Sequence, residues 1–180
     1  FLDRLVGSLL CRHPDERRDA CGRCADCALL AAGTHPDRME IGPDAEGKSG
    51  EIKVSAIRDL ASRDSLTAHR GGWKLIQIDP AHRMNPSAAN ALLKTLEEPA
   101  PDTLICLVSE QPSRLPATIR SRCQTLRIPV PPESEALAWL RQRLGAADPM
   151  TFLRLAHGAP LRALELAEEG RMAVRDSLFD

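Results

Sequence analysis

Cys11, Cys21, Cys24 and Cys27 stand in a C-x9-C-x2-C-x2-C pattern. Each two-residue gap brings a pair of thiolates within reach of one ion, and Gly22 lets the backbone turn sharply between them. Four thiolates satisfy tetrahedral zinc with no position open to water, so the spacing predicts a structural zinc module over residues 11–27. Disulfides fit this spacing poorly in a chain that otherwise reads as cytosolic. His13 and His35 are the alternative ligands. Cys106, in an expected strand, and Cys123, beside one, read as small core residues.

Two further groups could do chemistry. Gly42-Pro43-Asp44-Ala45-Glu46-Gly47-Lys48-Ser49 matches the phosphate-loop pattern G-x-x-x-x-G-K-S letter for letter. A working loop of that kind follows a buried strand and opens a helix, so that backbone N–H groups converge on phosphate. Here the strand before it is short, and Glu51-Ile52-Lys53-Val54 after it suits extended chain better than a first helical turn. Asp44 and Glu46 would also place negative charge inside the cradle. The match is a decoy. Farther on, Arg120 and Arg122 stand just before an expected strand at residues 124–128. What those arginines point at is the main functional question.

The elements that must position these groups follow from periodicity. Leu2, Leu5, Val6, Leu9 and Leu10 form one apolar helix face with no cap or turn signal before it. The chain is therefore expected to begin inside a helix and to be a fragment of a longer one. A short helix is expected over residues 27–32, ended by Gly33. Ser55 is a plausible N-cap for a helix to about Ala68, with Ile57, Leu60 and Ala61 inward. Arg58, Arg63 and Arg70 read as a solvated face. Residues 74–128 organise the whole: a strand at 74–79, a helix at 87–98, a strand at 103–109, then the two arginines and the strand at 124–128.

Pro129, Pro131 and Pro132 make a stiff joint. Beyond it the pattern is helical, with Leu137, Leu140 and Leu144 inward before Gly145, Asp148-Pro149 opening a second helix and Pro160 a third. The expected architecture is α/β with parallel strands over residues 1–130, followed by a small helical domain over 131–180.

Composition narrows the function classes. At 180 residues the chain can bury a real core, and a net charge of −1 excludes a strongly basic nucleic-acid glove. Aromatics make up 3% and tyrosine is absent, so an aromatic platform for stacking bases is not expected. No apolar run approaches the roughly 20 residues that span a bilayer, and no secretory signal is visible.

With these residues in view, the run Ala88-Ala89-Asn90-Ala91-Leu92-Leu93-Lys94-Thr95-Leu96-Glu97-Glu98-Pro99 closely resembles the AAA+ clamp-loader subunits of bacterial DNA polymerase III. Ser121-Arg122-Cys123 resembles that family's arginine-finger motif, and a four-cysteine insert is typical of several of its members. The resemblance covers nearly the whole chain. It implies an AAA+, P-loop NTPase-like parallel sheet carrying a zinc-binding insert, followed by a helical lid domain. It further implies a Walker A loop upstream of Phe1 and a collar domain beyond Asp180.

The ATP-hydrolysing gamma/tau members carry an Asp-Glu pair at the end of the Walker B strand, which holds magnesium and polarises water. Here the pair is Asp79-Pro80, and proline offers no carboxylate. Their sensor threonine is replaced by Ser109-Glu110, where Glu110 would repel a terminal phosphate. Gly33-Thr34-His35-Pro36-Asp37 also looks unlike the gamma members. The resemblance thus implies a subunit of the DNA polymerase III holoenzyme that does not itself hydrolyse ATP.

Its expected partners are the gamma/tau and delta subunits and, through the complex, the sliding clamp and primer-template DNA, with no membrane. Its expected place is the replisome in the bacterial cytoplasm. ATP is expected on neighbouring subunits rather than on this chain, with Arg122 reaching a neighbour's site in trans. Arg162 lies where the family's lid-domain sensor arginine is expected. The rival readings are an active gamma/tau-type ATPase and a zinc-containing module that binds nucleic acid directly.

Overall fold

The computed structural model describes residues 1–43, 50–62, 68–145 and 148–176, with side chains for all of these except 61, 62 and 171–176. By internal contacts the chain divides into two compact units, residues 1–125 and 126–180.

The first unit is built on a parallel sheet. Strands β1 (Arg38–Ile41), β2 (Lys74–Ile78) and β3 (Thr103–Leu107) lie in sequence order, β1-β2-β3. Arg38 pairs with Leu75 and Ile41 with Ile78, while Lys74 pairs with Thr103 and Ile78 with Leu107. Parallel neighbours need a crossover. Helix α3 (Val54–Ser62) lies between β1 and β2 in the chain, and α4 (Pro86–Glu97) between β2 and β3. These two helices pack on each other.

Alternation along β2 sorts its side chains between two faces. Ile76 and Ile78 are fully buried in a cluster with Ile57 and Leu60 of α3 and Ala88, Ala89 and Leu92 of α4. Leu75 joins a different cluster, with Val6 and Leu10 of α1 (Leu2–Leu10). Helix α2 (Ala25–Ala31) packs beside α1.

Local chemistry fixes the helix starts. Asn85 caps α4, its Oδ1 accepting the Ala88 N–H at 2.8 Å, and Pro86 takes the first helical position, where no donor is needed. Helix α2 starts two residues before the expected Cys27, because Cys24 serves as its N-cap. Helix α3 starts at Val54, so Ser55 lies inside it rather than capping it. The extended reading holds at Ile52, which bridges Met84 and is fully buried. Residues 44–49 of the decoy loop, and the expected helix beyond Ser62 with Arg63, lie outside the described residues.

The strand expected at residues 124–128 does not form. A strand exists only by pairing, and among the described residues the sheet holds β1, β2 and β3 alone. Leu126, Ile128 and Val130 stay 67%, 61% and 58% exposed. The expected stretch has no ladder partner among the described residues.

The second unit is helical, as its periodicity predicts. Helices α6 (Glu133–Leu144), α7 (Pro149–Leu155) and α8 (Pro160–Asp176) bury Leu137, Leu140, Leu144, Leu153, Ala163 and Ala167 together. Gly145 ends α6 at φ +61°, and Asp148 caps α7 by accepting from Met150 and Thr151 N–H. Helix α5 belongs to the first unit and is the short turn Ala117–Arg120.

Replacing Leu92 by Ala should cost about 2–5 kcal/mol, the lost transfer energy plus that of the cavity left between sheet and helices. Urea unfolding followed through Trp73, in a Trp139→Phe background, should show the lower midpoint. An unchanged midpoint would remove Leu92 from the core.

Candidate metal centre and exposed arginine

The four cysteines converge. Their sulfurs all lie within 4.8 Å of one another, with Cys11 Sγ 3.8 Å from Cys24 Sγ and Cys21 Sγ 3.9 Å from Cys27 Sγ. Four ligands tetrahedral about an ion at about 2.3 Å would sit about 3.8 Å apart. All four cysteines are free of disulfides. The cluster can hold one metal ion, and its donors and spacing are compatible with zinc. Gly22 turns the chain at φ +70° between the first pair.

Backbone donors prepare the sulfurs for the charge a metal requires. Cys11 Sγ accepts from Cys21 N–H and Cys24 Sγ from Cys27 N–H, each at 3.4 Å. The Cys24 thiol is pushed down to about 6, first by that Cys27 N–H, and Cys21 is lowered chiefly by the backbone at Arg23. Burial pushes Cys27 up to about 12. A dication would draw all four to thiolate.

Neither histidine joins the cluster. His13 is exposed. His35 is buried, its Nδ1 accepting the Asp37 N–H at 3.1 Å, which leaves the ring proton on Nε2. That nitrogen faces Asp26 Oδ1 at 3.4 Å.

Asp26, two residues past Cys24, anchors the module to the sheet unit. It is 2% exposed and ion-paired with Arg70, and Arg12 Nε approaches it at 3.4 Å. Burial works to raise its pKa, but Arg70, Arg12 and His35 more than offset this and hold the carboxyl below its ordinary value. Arg12 also donates to the Arg70 carbonyl at 2.5 Å. The buried Asp37 carboxylate receives His69 N–H at 2.6 Å and Arg70 N–H at 3.0 Å. Arg70 is therefore half-buried and structural, not one of a solvated face; Arg58 is exposed as expected. The interleaved Cys24-Ala25-Asp26-Cys27 was the available signal, a charge between two expected ligands, but its partners are up to 44 residues away.

Against α1, Gly7 permits close packing of the cysteine loop. A Cβ there would meet Ala20 Cβ at 3.0 Å. Asp19 of the same loop pairs with Arg4 of α1.

The second candidate region lies at the carboxyl ends of β2 and β3, where ligands of parallel sheets gather. Asp79 is exposed there, next to Pro80. Ser109 Oγ lies 3.2 Å from His82 Nδ1 and accepts the Gln111 N–H at 3.1 Å, so the hydroxyl is engaged within the chain. Glu110 is exposed. Cys106 and Cys123 are partly buried, and burial raises both thiol pKa values.

Arg122 follows α5 on a turn. Leu115 and Ile119, both buried, fix this turn against the core, and α5 packs on α4. Arg122 donates Nε–H and Nη2–H to Glu97 Oε1 at 2.9 and 2.5 Å, and Nη1–H to the Thr118 carbonyl at 2.9 Å. Arg120 is exposed. Arg162 pairs with Glu165 and Glu169 on its own helix. Among the described residues no helix is long and apolar enough to cross a membrane.

The chain resembles known proteins. The family model described as "DNA polymerase III, delta subunit" matches residues 1–132. DNA polymerase III subunit delta' of Pseudomonas aeruginosa is 45% identical over 168 residues, covering 92% of this chain and 50% of the relative. The protein of the same name in Escherichia coli K12 is 38% identical over 172 residues, covering 94% and 51%. The chain thus spans about half the length of the curated relatives it matches. A solved structure, a DNA polymerase III gamma subunit-related protein of Thermotoga maritima, superposes with a TM-score of 0.58 at 28% identity, covering 83% of this chain and 51% of that one.

Asp26→Ala should leave the Arg70 guanidinium without its buried partner and cost on the order of 2–4 kcal/mol. Thermal or urea unfolding checks the loss. Stability equal to the parent would show that this carboxylate does not hold module and sheet together.

Proposed function

The chain belongs to the delta'-subunit family of bacterial DNA polymerase III, and on that premise we propose that it acts in a clamp-loader complex by lending Arg122 to a neighbouring subunit's ATP site. The observation that carries this reading is the placement of Arg122. It is exposed, on a turn fixed by buried Leu115 and Ile119, and it spends three of its five N–H groups on Glu97 and the Thr118 carbonyl. Such a group stabilises the charge that spreads over phosphoryl oxygens during transfer, and offering it in trans makes hydrolysis depend on assembly.

The chain's own centre fits a silent role. Asp79 is followed by proline instead of a second carboxylate, and Ser109 Oγ is occupied by His82 and Gln111. A general base for water is missing from that position, and Glu110 adds negative charge beside it. ATP then sits on gamma/tau neighbours, with delta completing the assembly, and the complex places the sliding clamp on primer-template DNA. The domain plan that serves this role is an AAA+ core over 1–130 with the zinc module at 11–27, and a lid over 131–180.

Zinc is the metal that the four thiolates suit best, held by Cys11, Cys21, Cys24 and Cys27. A closed four-sulfur site supplies structure and no activated water. Elemental analysis of protein purified without chelator should find about one zinc per chain. Less than about half an equivalent would sink the assignment.

Arg122→Ala in the full-length chain should fold and assemble normally. In the reconstituted complex, DNA-dependent ATP turnover should fall by about tenfold or more. Unchanged turnover would refute the finger role. Turnover by the chain alone, without partners, would instead favour the gamma/tau-type reading that the Thermotoga likeness keeps in view.

A further inference from the structure

We propose that Glu97 is a positioning residue for Arg122, holding the Nε edge of the guanidinium so that its far end keeps donors for a phosphate. This rests on the trans-acting reading of Arg122 above.

The hydrogen-bond inventory supports it. A guanidinium carries one hydrogen on Nε and a pair on each terminal nitrogen. Glu97 Oε1 takes Nε–H and one hydrogen of Nη2, and the Thr118 carbonyl takes one hydrogen of Nη1. Among the described residues, one N–H of each terminal nitrogen has no partner. Because Glu97 takes the side of Nη2 nearest Nε, the spare Nη2–H lies at the far end of the guanidinium, where a phosphoryl oxygen can be met. Glu97 therefore occupies the edge of Arg122 that a neighbour's phosphate does not need.

The location of Glu97 argues the same way. It is the last residue of α4, whose last turn carries a cation at Lys94 but a carboxylate at its very end. A carboxylate at a helix C-terminus opposes the macrodipole and is unfavourable by some tenths of a kcal/mol. A cation bound to that carboxylate relieves the conflict. The pair is partly exposed, with side chains 35% and 51% accessible, so it contributes little to stability. Its consequence is orientation. An unrestrained arginine must lose side-chain freedom when the transition state forms, whereas a doubly held one has lost it beforehand.

Glu97 is also joined to the core through α4, whose Leu92 and Thr95 are buried. Thr118, the other holder, belongs to α5, pinned by Ile119. Two elements packed on each other thus fix the guanidinium from both sides.

The test uses full-length chain in the reconstituted complex, with primed DNA, sliding clamp and ATP. Glu97→Ala should lower the DNA-dependent kcat by about threefold or more while KM for ATP stays within about twofold. Glu97→Gln keeps an Oε1 acceptor and should restore most of the loss, which a purely electrostatic role would not allow. Glu97→Ala combined with Arg122→Ala should be no slower than Arg122→Ala alone. Assembly, followed by size-exclusion chromatography, should be the same for all variants.

If Arg122→Ala is slow but Glu97→Ala turns over normally, the positioning role fails and the finger stands. A Glu97→Ala complex faster than the parent also overturns it, since Glu97 would then be restraining Arg122 rather than presenting it. Full turnover in Arg122→Ala removes both readings together.

Discussion

Strand β2 is buried on both faces, with Leu75 turned to α1 and Ile76 and Ile78 turned to α3 and α4, and the rest of the first unit is arranged to keep water from it. A short central strand in a parallel sheet cannot be left half-covered, because the crossovers that join its neighbours must themselves bury an apolar face. On one face this brings α1, and with α1 the cysteine loop that packs against it at Gly7. On the other it brings α4 and α5, and with them Glu97, Thr118 and Arg122. The two chemical features of the molecule thus hang from opposite faces of one strand.

They differ in how they are fixed. The cysteine loop is held by charge: Asp26 is buried and would be costly alone, so Arg70, Arg12 and His35 surround it. The arginine is held by a partly exposed carboxylate and a backbone carbonyl, interactions that contribute little to stability but fix direction. A structural site can afford to be closed. Among the described residues, Arg122 keeps one N–H on each terminal nitrogen without a partner.

Much of this was readable in the residues. The strand expected at 74–79, the helix expected at 87–98 and the three helices after Pro132 follow from periodicity and local signals. The cysteine site was readable because short spacing alone brings Cys21, Cys24 and Cys27 together. What misled was the stretch 124–128, expected as a strand, since a preference for extended chain cannot supply a neighbour to pair with. Arg70 misled in the other direction. It looks like one of several scattered surface charges, and only the distant Asp26 makes it a buried partner.

By itself, then, the sequence determined most of the elements, the donor set for a metal, the family and the candidate Arg122, because each is written in adjacent or closely spaced residues. Tertiary structure decided the remainder: that His35 serves Asp26 and Asp37 instead of the metal, that Ser109 is engaged by His82, and that Glu97 grips one edge of Arg122. Glu97 and Arg122 are 25 residues apart in the chain, and no local rule joins them. They meet because α4 and α5 are both drawn onto the same face of β2, and burial of that face acts through space without regard to sequence separation.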